Sequence, residues 1–117
     1  MTERLLYEKR QWGEYHVLYE CTFPDGISAL TKELVIEAGK GISYQRHFHR
    51  DEYWTIINGN GIIVINDKSY EVKRGDTFVI QKEQMHTIKA TTQLTIIEVQ
   101  IGEILSEDDI ERFPSIW

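Results

Sequence analysis

Residues 45–65 read QRHFHRDEYWTIINGNGIIVI, and this stretch decides the fold. Its centre, Asn58-Gly59-Asn60-Gly61, is a hairpin signal, because Asn and Gly tolerate the positive φ that tight turns between antiparallel strands require. Tyr53 to Ile57 on one side is rich in aromatic and β-branched residues, and Ile62-Ile63-Val64-Ile65 on the other is wholly β-branched. That second run has no polar alternation. It is expected to be buried on both faces, as a core strand or inside a subunit interface.

The same grammar extends in both directions. Pro24-Asp25-Gly26, Gly39-Lys40-Gly41, Asn66-Asp67-Lys68 and Arg74-Gly75-Asp76 mark turns. Between them Gly13 to Glu20, Leu30 to Ala38, Ser69 to Lys73, Thr77 to Ile80, Met85 to Lys89 and Leu94 to Ile101 read as strands. In the first of these Tyr15, Val17 and Tyr19 share one face. About nine short strands with turns every 8–12 residues imply an all-β antiparallel sandwich or barrel. The C-terminus breaks the pattern. Leu105-Ser106-Glu107-Asp108-Asp109-Ile110 reads as the start of a short helix, with Ser106 as cap, Asp109 reaching back, and Leu105 against Ile110 as the apolar staple. Its acids favour the positive end of a helix dipole, and Pro114 ends it.

The chain has 117 residues, two prolines and no Ser- or Gly-rich linker, which fits a single domain over 1–117. Asp and Glu number 19 against 13 Lys and Arg, a net charge of −6. An acidic chain without a basic block argues against nucleic acid and against anionic membranes. No apolar run approaches the roughly 18 residues that span a bilayer. The N-terminal MTERLLYEKRQW lacks the apolar stretch of a secretory leader, and Cys21 is the single cysteine, so a reducing cytoplasm is expected. The charge poses a problem of its own. An anionic ligand would need a local positive pocket inside a protein of charge −6.

Chemistry concentrates in Gln45-Arg46-His47-Phe48-His49-Arg50-Asp51-Glu52. Read as a strand running into a turn, it puts Gln45, His47 and His49 on one face, and Glu52 can swing back from beyond the turn. His86, in Gln84-Met85-His86-Thr87-Ile88, is the candidate for a remaining ligand. Imidazole, amide and carboxylate together suit a divalent Zn, Mn, Fe, Co or Ni ion, and spacing does not choose among them.

The framing of these residues resembles the cupin superfamily, whose first motif is G-x5-H-x-H-x3,4-E-x6-G. Gly39-x5-Gln45-x-His47-x4-Glu52-x6-Gly59 keeps every spacing, with Gln45 at the first His position. The other register, Gly41-x5-His47-x-His49, keeps both histidines but leaves two residues before Glu52. The first register is preferred, and a Gln-x-His pair also occurs among the metal ligands of cupin phosphomannose isomerases. The second cupin motif corresponds to Gly75-x5-Gln81-x-Glu83-x2-His86-x3-Ala90, with its Pro, second Gly and Asn replaced. The likeness narrows to the C-terminal cupin domain of type II mannose-6-phosphate isomerases and mannose-1-phosphate guanylyltransferases. Arg10-Gln11-Trp12-Gly13 is similar to that family's R-P-W-G, and residues 43–54 to its S-L-Q-x-H-x-H-R-x-E-x-W. Residues 97–100 match I-E-V-Q, and 105–113 match L-x-E-D-D-I-x-R-F. The family's Y-G-R tail is replaced by Pro114-Ser115-Ile116-Trp117, and its nucleotidyltransferase domain is absent from these residues.

The resemblance implies a single cupin (double-stranded β-helix, jelly-roll) barrel with a short C-terminal helix. It implies a metal on Gln45, His47, Glu52 and His86, and interconversion of mannose 6-phosphate and fructose 6-phosphate. That reaction needs a base of near-neutral pKa, for which His49 is the first candidate. Arg50, Lys82 and Arg112 are the cations placed to meet a phosphate, whereas alternation turns Arg46 outward. Trp54, sharing parity with Glu52, is expected at the pocket, and Tyr53 is not. A metal-binding cupin of other activity and a non-catalytic sugar-binding module are the alternatives. A homodimer is expected, because short strands leave sheet edges to cover.

Overall fold

Alternation builds the molecule. The segment Leu94–Gly102 buries Leu94, Ile96, Glu98, Gln100 and Gly102 and turns Thr95, Ile97, Val99 and Ile101 to its other face. Ser28–Ile36 does the same with Leu30, Lys32, Leu34 and Ile36. Such period-2 segments lie flat only as strands with one face covered.

The structure is a computed structural model that describes residues 6–117. The first five residues, part of the N-terminal stretch read as lacking a leader, lie outside the described residues. The described strands are β1 (Tyr7–Arg10), β2 (Gly13–Thr22), β3 (Ser28–Ile36), β4 (Tyr44–Arg46), β5 (Arg50–Asn58) and β6 (Gly61–Ile65). They continue with β7 (Lys68–Val72), β8 (Thr77–Ile80), β9 (His86–Ala90), β10 (Leu94–Gly102) and β11 (Glu111–Phe113). They form two antiparallel sheets, β1-β2-β3-β10-β5-β8 and β11-β4-β9-β6-β7. Residues from the inner faces of both make one core, including Ile36, Ile56 and Ile96 from the first and Ile63 and Ile88 from the second.

The turns follow their residues. Gly59, between β5 and β6, sits at φ 95°, and Asn66 and Asp67, between β6 and β7, at 48° and 67°. These are left-handed values that Gly, Asn and Asp tolerate.

Three expectations are corrected. The helix at 105–110 does not form. One turn closes, with the Asp109 N–H on the Ser106 carbonyl (3.1 Å) and the Asp108 N–H on Ser106 Oγ (3.1 Å), and the chain then extends into β11 against β4. Asp109 spends its carboxylate on the backbone N–H groups of Phe48 and His49 instead of capping its own turn. Tertiary partners outweigh a helix that Pro114 limits to about two turns. Tyr19 leaves the face of Tyr15 and Val17, because the register of β2 against β3 shifts between Val17 and Tyr19. Ile62 is exposed, whereas Ile63 and Val64 are buried, so within one chain β6 is not a core strand covered on both faces along its length.

The inner faces change character at one level. Along β10, apolar Leu94 and Ile96 give way to buried Glu98 and Gln100. Register sets Glu98 beside Lys32 of β3 and Trp54 of β5, and Gln100 beside Glu52. In the other sheet His86 pairs with Gln45 at the same end, while Ile88 pairs with Ile63 toward the apolar end. One end of the sandwich is a hydrocarbon core, and the other is a polar chamber.

Candidate metal centre

At the edge of that chamber β4 ends at Arg46, the chain bends through Phe48 and His49, and β5 begins at Arg50. The bend delivers His47 inward. Its Nδ1 lies 2.7 Å from the Asp109 carbonyl oxygen. His86 enters from β9 with Nδ1 3.0 Å from the Gln84 carbonyl oxygen. A carbonyl only accepts, so both rings carry their proton on Nδ1 and turn an Nε2 lone pair inward. His86 Nε2 is buried and has no hydrogen-bond partner among the described residues. An orphaned lone pair of this kind costs about 1–3 kcal/mol unless something binds it.

Glu52 stands between the rings, its carboxylate 3.4 Å from His47 Nε2 and 3.7 Å from His86 Nε2. It is 2% exposed and held on both oxygens. Arg50 Nε donates to Oε2 (2.8 Å) and Trp54 Nε1 donates to Oε1 (3.0 Å). Burial by itself would raise this carboxyl. The Arg50 guanidinium leads the charges that override it and hold Glu52 down at about 2. Burial pushes His47 down to about 4 and lowers His86 as well, in each case against the pull of Glu52. Two neutral imidazoles and one ionised carboxylate are the protonation states a divalent cation requires.

One donor atom from each of His47, Glu52 and His86 lies within 4.8 Å of the others. Two donors each about 2.1 Å from one ion stand no more than about 4.2 Å apart, and the contacts of Glu52 with the two rings, made by its two different oxygens, fall inside that limit. Arg50 Nη2 is 3.2 Å from His47 Nε2, and a bound cation would take that lone pair in its place. Gln45 is half-buried, lines the same cavity, and accepts a hydrogen bond from Ser43 on Oε1 (3.1 Å). The residues present fit a metal.

The chamber opens into a cavity of about 1050 Å³. Among the described residues its wall holds six cations, Lys9, Arg10, Lys32, Arg50, Lys89 and Arg112, against the acids Glu52, Glu98 and Glu107. The cavity wall thus carries more cations than acids in a chain of charge −6, although Lys32 and Arg50 are paired with Glu107 and Glu52.

The other sequence candidates fall differently. Arg50 is buried within the cluster, and Arg112 lines the cavity. His49 is exposed and absent from the cavity wall, because strand parity ends with β4. Lys82 is exposed too, its backbone N–H bonded to Asp51 Oδ1 (2.8 Å) away from the cavity lining. Arg46 pairs with Glu111 outside the chamber (2.7 Å). Trp54 is 1% exposed and touches the site only through Glu52 and an edge-on contact with the His86 ring, while Tyr53 is on the exposed side.

Sequence reasoning missed Lys32, Glu98 and Gln100. Lys32 Nζ sits 4.1 Å from the Tyr15 ring centroid and bonds Glu107 (2.8 Å). Gln100 Nε2 donates to Glu98 Oε1 (2.6 Å). A signal existed. Glu98 and Gln100 share parity with Leu94 and Ile96, and polar residues on a strand's core face mark an internal site.

Comparison with known proteins gives a consistent picture. The family model described as mannose-6-phosphate isomerase C-terminal matches residues 3–115. A mannose-1-phosphate guanylyltransferase of Salmonella muenchen is 31% identical over 105 residues, covering 88% of this chain and 21% of that protein. The alginate biosynthesis protein AlgA of Pseudomonas putida is 29% identical over 118 residues, 99% of this chain and 23% of its own. The chain spans about a fifth of the length of these curated relatives. Among solved structures, the capsular polysaccharide assembling protein CapF of Staphylococcus aureus superposes with a TM-score of 0.73 over 97% of this chain and 35% of that one, at 13% identity. A cupin protein of Bacteroides fragilis gives 0.59 over 68% of this chain and 70% of that one, at 23% identity. The fold is a cupin barrel. Among the described residues no helix is long and apolar enough to cross a membrane.

Proposed function

The chain belongs to the mannose-6-phosphate isomerase C-terminal family, and from that premise we propose that it is a metal-dependent sugar-phosphate isomerase acting between mannose 6-phosphate and fructose 6-phosphate. The observation that carries this reading is the buried His47, Glu52 and His86 cluster beside a cavity whose described wall carries more cations than acids. Gln45, His47, Glu52 and His86 would hold the metal. When bound, a divalent ion supplies Lewis acidity that polarises carbonyl and hydroxyl oxygens.

The chain's own residues supply the rest. Arg50 keeps Glu52 ionised, and Trp54 fixes the carboxylate's orientation. The Asp109 and Gln84 carbonyls keep the protons of His47 and His86 on Nδ1. Arg112 and Lys9 on the cavity wall offer charge for a phosphate. In this reading the protein works in the cytoplasm as a homodimer. The exposed Tyr53 and Val79, register partners on the outer face of the larger sheet, offer apolar surface for pairing.

A second reading is a sugar-binding cupin module without isomerase activity. The relatives are named for guanylyl transfer and alginate biosynthesis, and the chain matches a fifth of their length. The test is direct. Chelated protein reloaded with Zn, Mn, Fe, Co or Ni in turn is mixed with either sugar, and interconversion is followed by proton NMR. Activity that chelator abolishes and one metal restores is expected. Tight sugar-phosphate binding in calorimetry, with no interconversion under any metal, moves the assignment to the binding module.

A further inference from the structure

Isomerisation of an aldose to a ketose moves a hydrogen between adjacent carbons, so a base must face the bound sugar without being tied up as a metal ligand. Among the described residues, the acid and imidazole side chains on the cavity wall are His47, Glu52, Glu98 and Glu107. His47 and Glu52 belong to the metal cluster. Glu107 stands on the turn after β10 and pairs with Lys32 (2.8 Å). Glu98 remains, on the inner face of β10 in the middle of the chamber.

The geometry points to Glu98 as the catalytic base, an assignment that rests on the isomerase reading above. Glu98 is the register partner of Trp54, and Glu52 stands two residues from Trp54 on the same face of the neighbouring strand. Such diagonal neighbours lie roughly 7–8 Å apart. That is a backbone spacing within reach of long side chains, so both carboxylates line one cavity and a sugar bound there meets Glu98 beside the metal cluster. The side chain is held for the task. Gln100 donates to Oε1 (2.6 Å), and the register sets Lys32 on the other flank. Oε2 is then the oxygen that meets the substrate.

The step balances within the sugar and the side chain. Glu98 Oε2 takes the proton from C2 of the aldose. The electrons of the broken C–H bond form the C1–C2 double bond, and the carbonyl electron pair moves to O1, which is protonated to give an enediol. Loss of the O2 hydroxyl proton re-forms a carbonyl at C2, while the proton on Glu98 is delivered to C1. The carboxylate is regenerated, and the net change is one carbon-bound hydrogen and one hydroxyl proton relocated. In the metal-free chamber burial first, then the charge of Glu52, raise the Glu98 carboxyl to about 7 against the opposing pull of Lys32 and Arg50.

The experiment uses the metal-loaded full chain with mannose 6-phosphate in D2O, reading turnover, solvent deuterium in the sugar, bound metal by elemental analysis, and sugar binding by calorimetry. Glu98→Gln is expected to lower kcat by roughly 100- to 10,000-fold and to abolish deuterium incorporation. Its metal content and affinity for the sugar phosphate should stay within a few-fold of wild type. Glu98→Asp, which retracts the carboxylate by one methylene, is expected to lose at least tenfold in kcat with little change in KM. It serves as the reading if the Gln variant does not fold. An active wild type whose Glu98→Gln or Glu98→Asp variant turns over within threefold of it overturns this assignment and leaves the isomerase reading intact. Loss of exchange in His49→Gln, with exchange retained in Glu98→Gln, does the same. A metal-loaded wild type inert toward both sugars overturns the isomerase reading and this assignment with it.

Discussion

Replacing Glu98 by Gln is expected to stabilise the chelated protein at alkaline pH and to leave its stability unchanged at acid pH. Burial, then Glu52, move this carboxyl from 4.5 to about 7. Between those values the folded protein holds a proton that the unfolded chain has released. Protonation therefore favours the fold fully below about 4.5, and the advantage is lost as pH rises through about 7. At about 1.4 kcal/mol per pH unit the displacement corresponds to roughly 3 kcal/mol. Gln has nearly the same shape, can still accept from Gln100, and is neutral throughout, so it carries no such penalty. The difference in unfolding free energy, variant minus wild type, should thus grow from near zero at pH 4.5 to about 3 kcal/mol at pH 8.5. In a domain of this size that is a Tm difference of roughly 10 °C. His47 and His86, pushed down by burial, weaken both proteins as pH falls below 6.5. That loss is common to the two and drops out of the difference. Thermal or urea unfolding in chelator across this range makes the measurement. A difference that does not vary with pH would refute the reasoning. So would a variant less stable than wild type at pH 8.5, since the attraction of Lys32 for the carboxylate would then outweigh its desolvation.

Three further outcomes are expected. Trp54→Phe removes the N–H donor to Glu52 Oε1; the lost charge-assisted hydrogen bond should cost about 1.5–3 kcal/mol in urea unfolding, and Co(II) titration should show weaker metal binding. Asp109→Ala strips the carboxylate from the Phe48 and His49 N–H groups beside His47; metal affinity should fall about tenfold, and unchanged affinity would deny this turn any role in positioning the ligand. Gly102→Ala would put a Cβ 2.1 Å from the His49 carbonyl oxygen and 2.8 Å from Arg50 Cα, so the start of β5 must shift, at a cost of about 1–3 kcal/mol in unfolding measurements.

Much of the barrel was legible because its signals are local. Asn66 and Asp67 at the β6–β7 turn, and the unbroken alternation of Leu94 to Gly102, report the backbone through residues next to one another. Two members of the candidate cluster, His47 and Glu52, were legible for a related reason, because the motif that singled them out spans only the 21 residues from Gly39 to Gly59. His49 was misjudged at the same place. Counting parity through 45–49 assumes an unbroken strand, and the strand ends at Arg46. Segment 105–113 failed as a helix because its capping residues found better partners elsewhere, Asp109 on the 48–49 backbone and Glu111 on Arg46.

The sequence by itself determined the strand periodicity and the turns, because a period of two and a tight turn are set by adjacent residues, and motif resemblance singled out His47, Glu52 and His86 as candidates. Only the tertiary structure decided what surrounds them. It set Lys32 against Glu107, 75 residues away, and the His47 ring on the Asp109 carbonyl, 62 residues away. It also gathered Lys9, Lys32, Arg50 and Arg112 onto one wall of an acidic protein. Contacts between residues so distant in the chain leave no spacing to read, and they exist only once the two sheets have closed on each other.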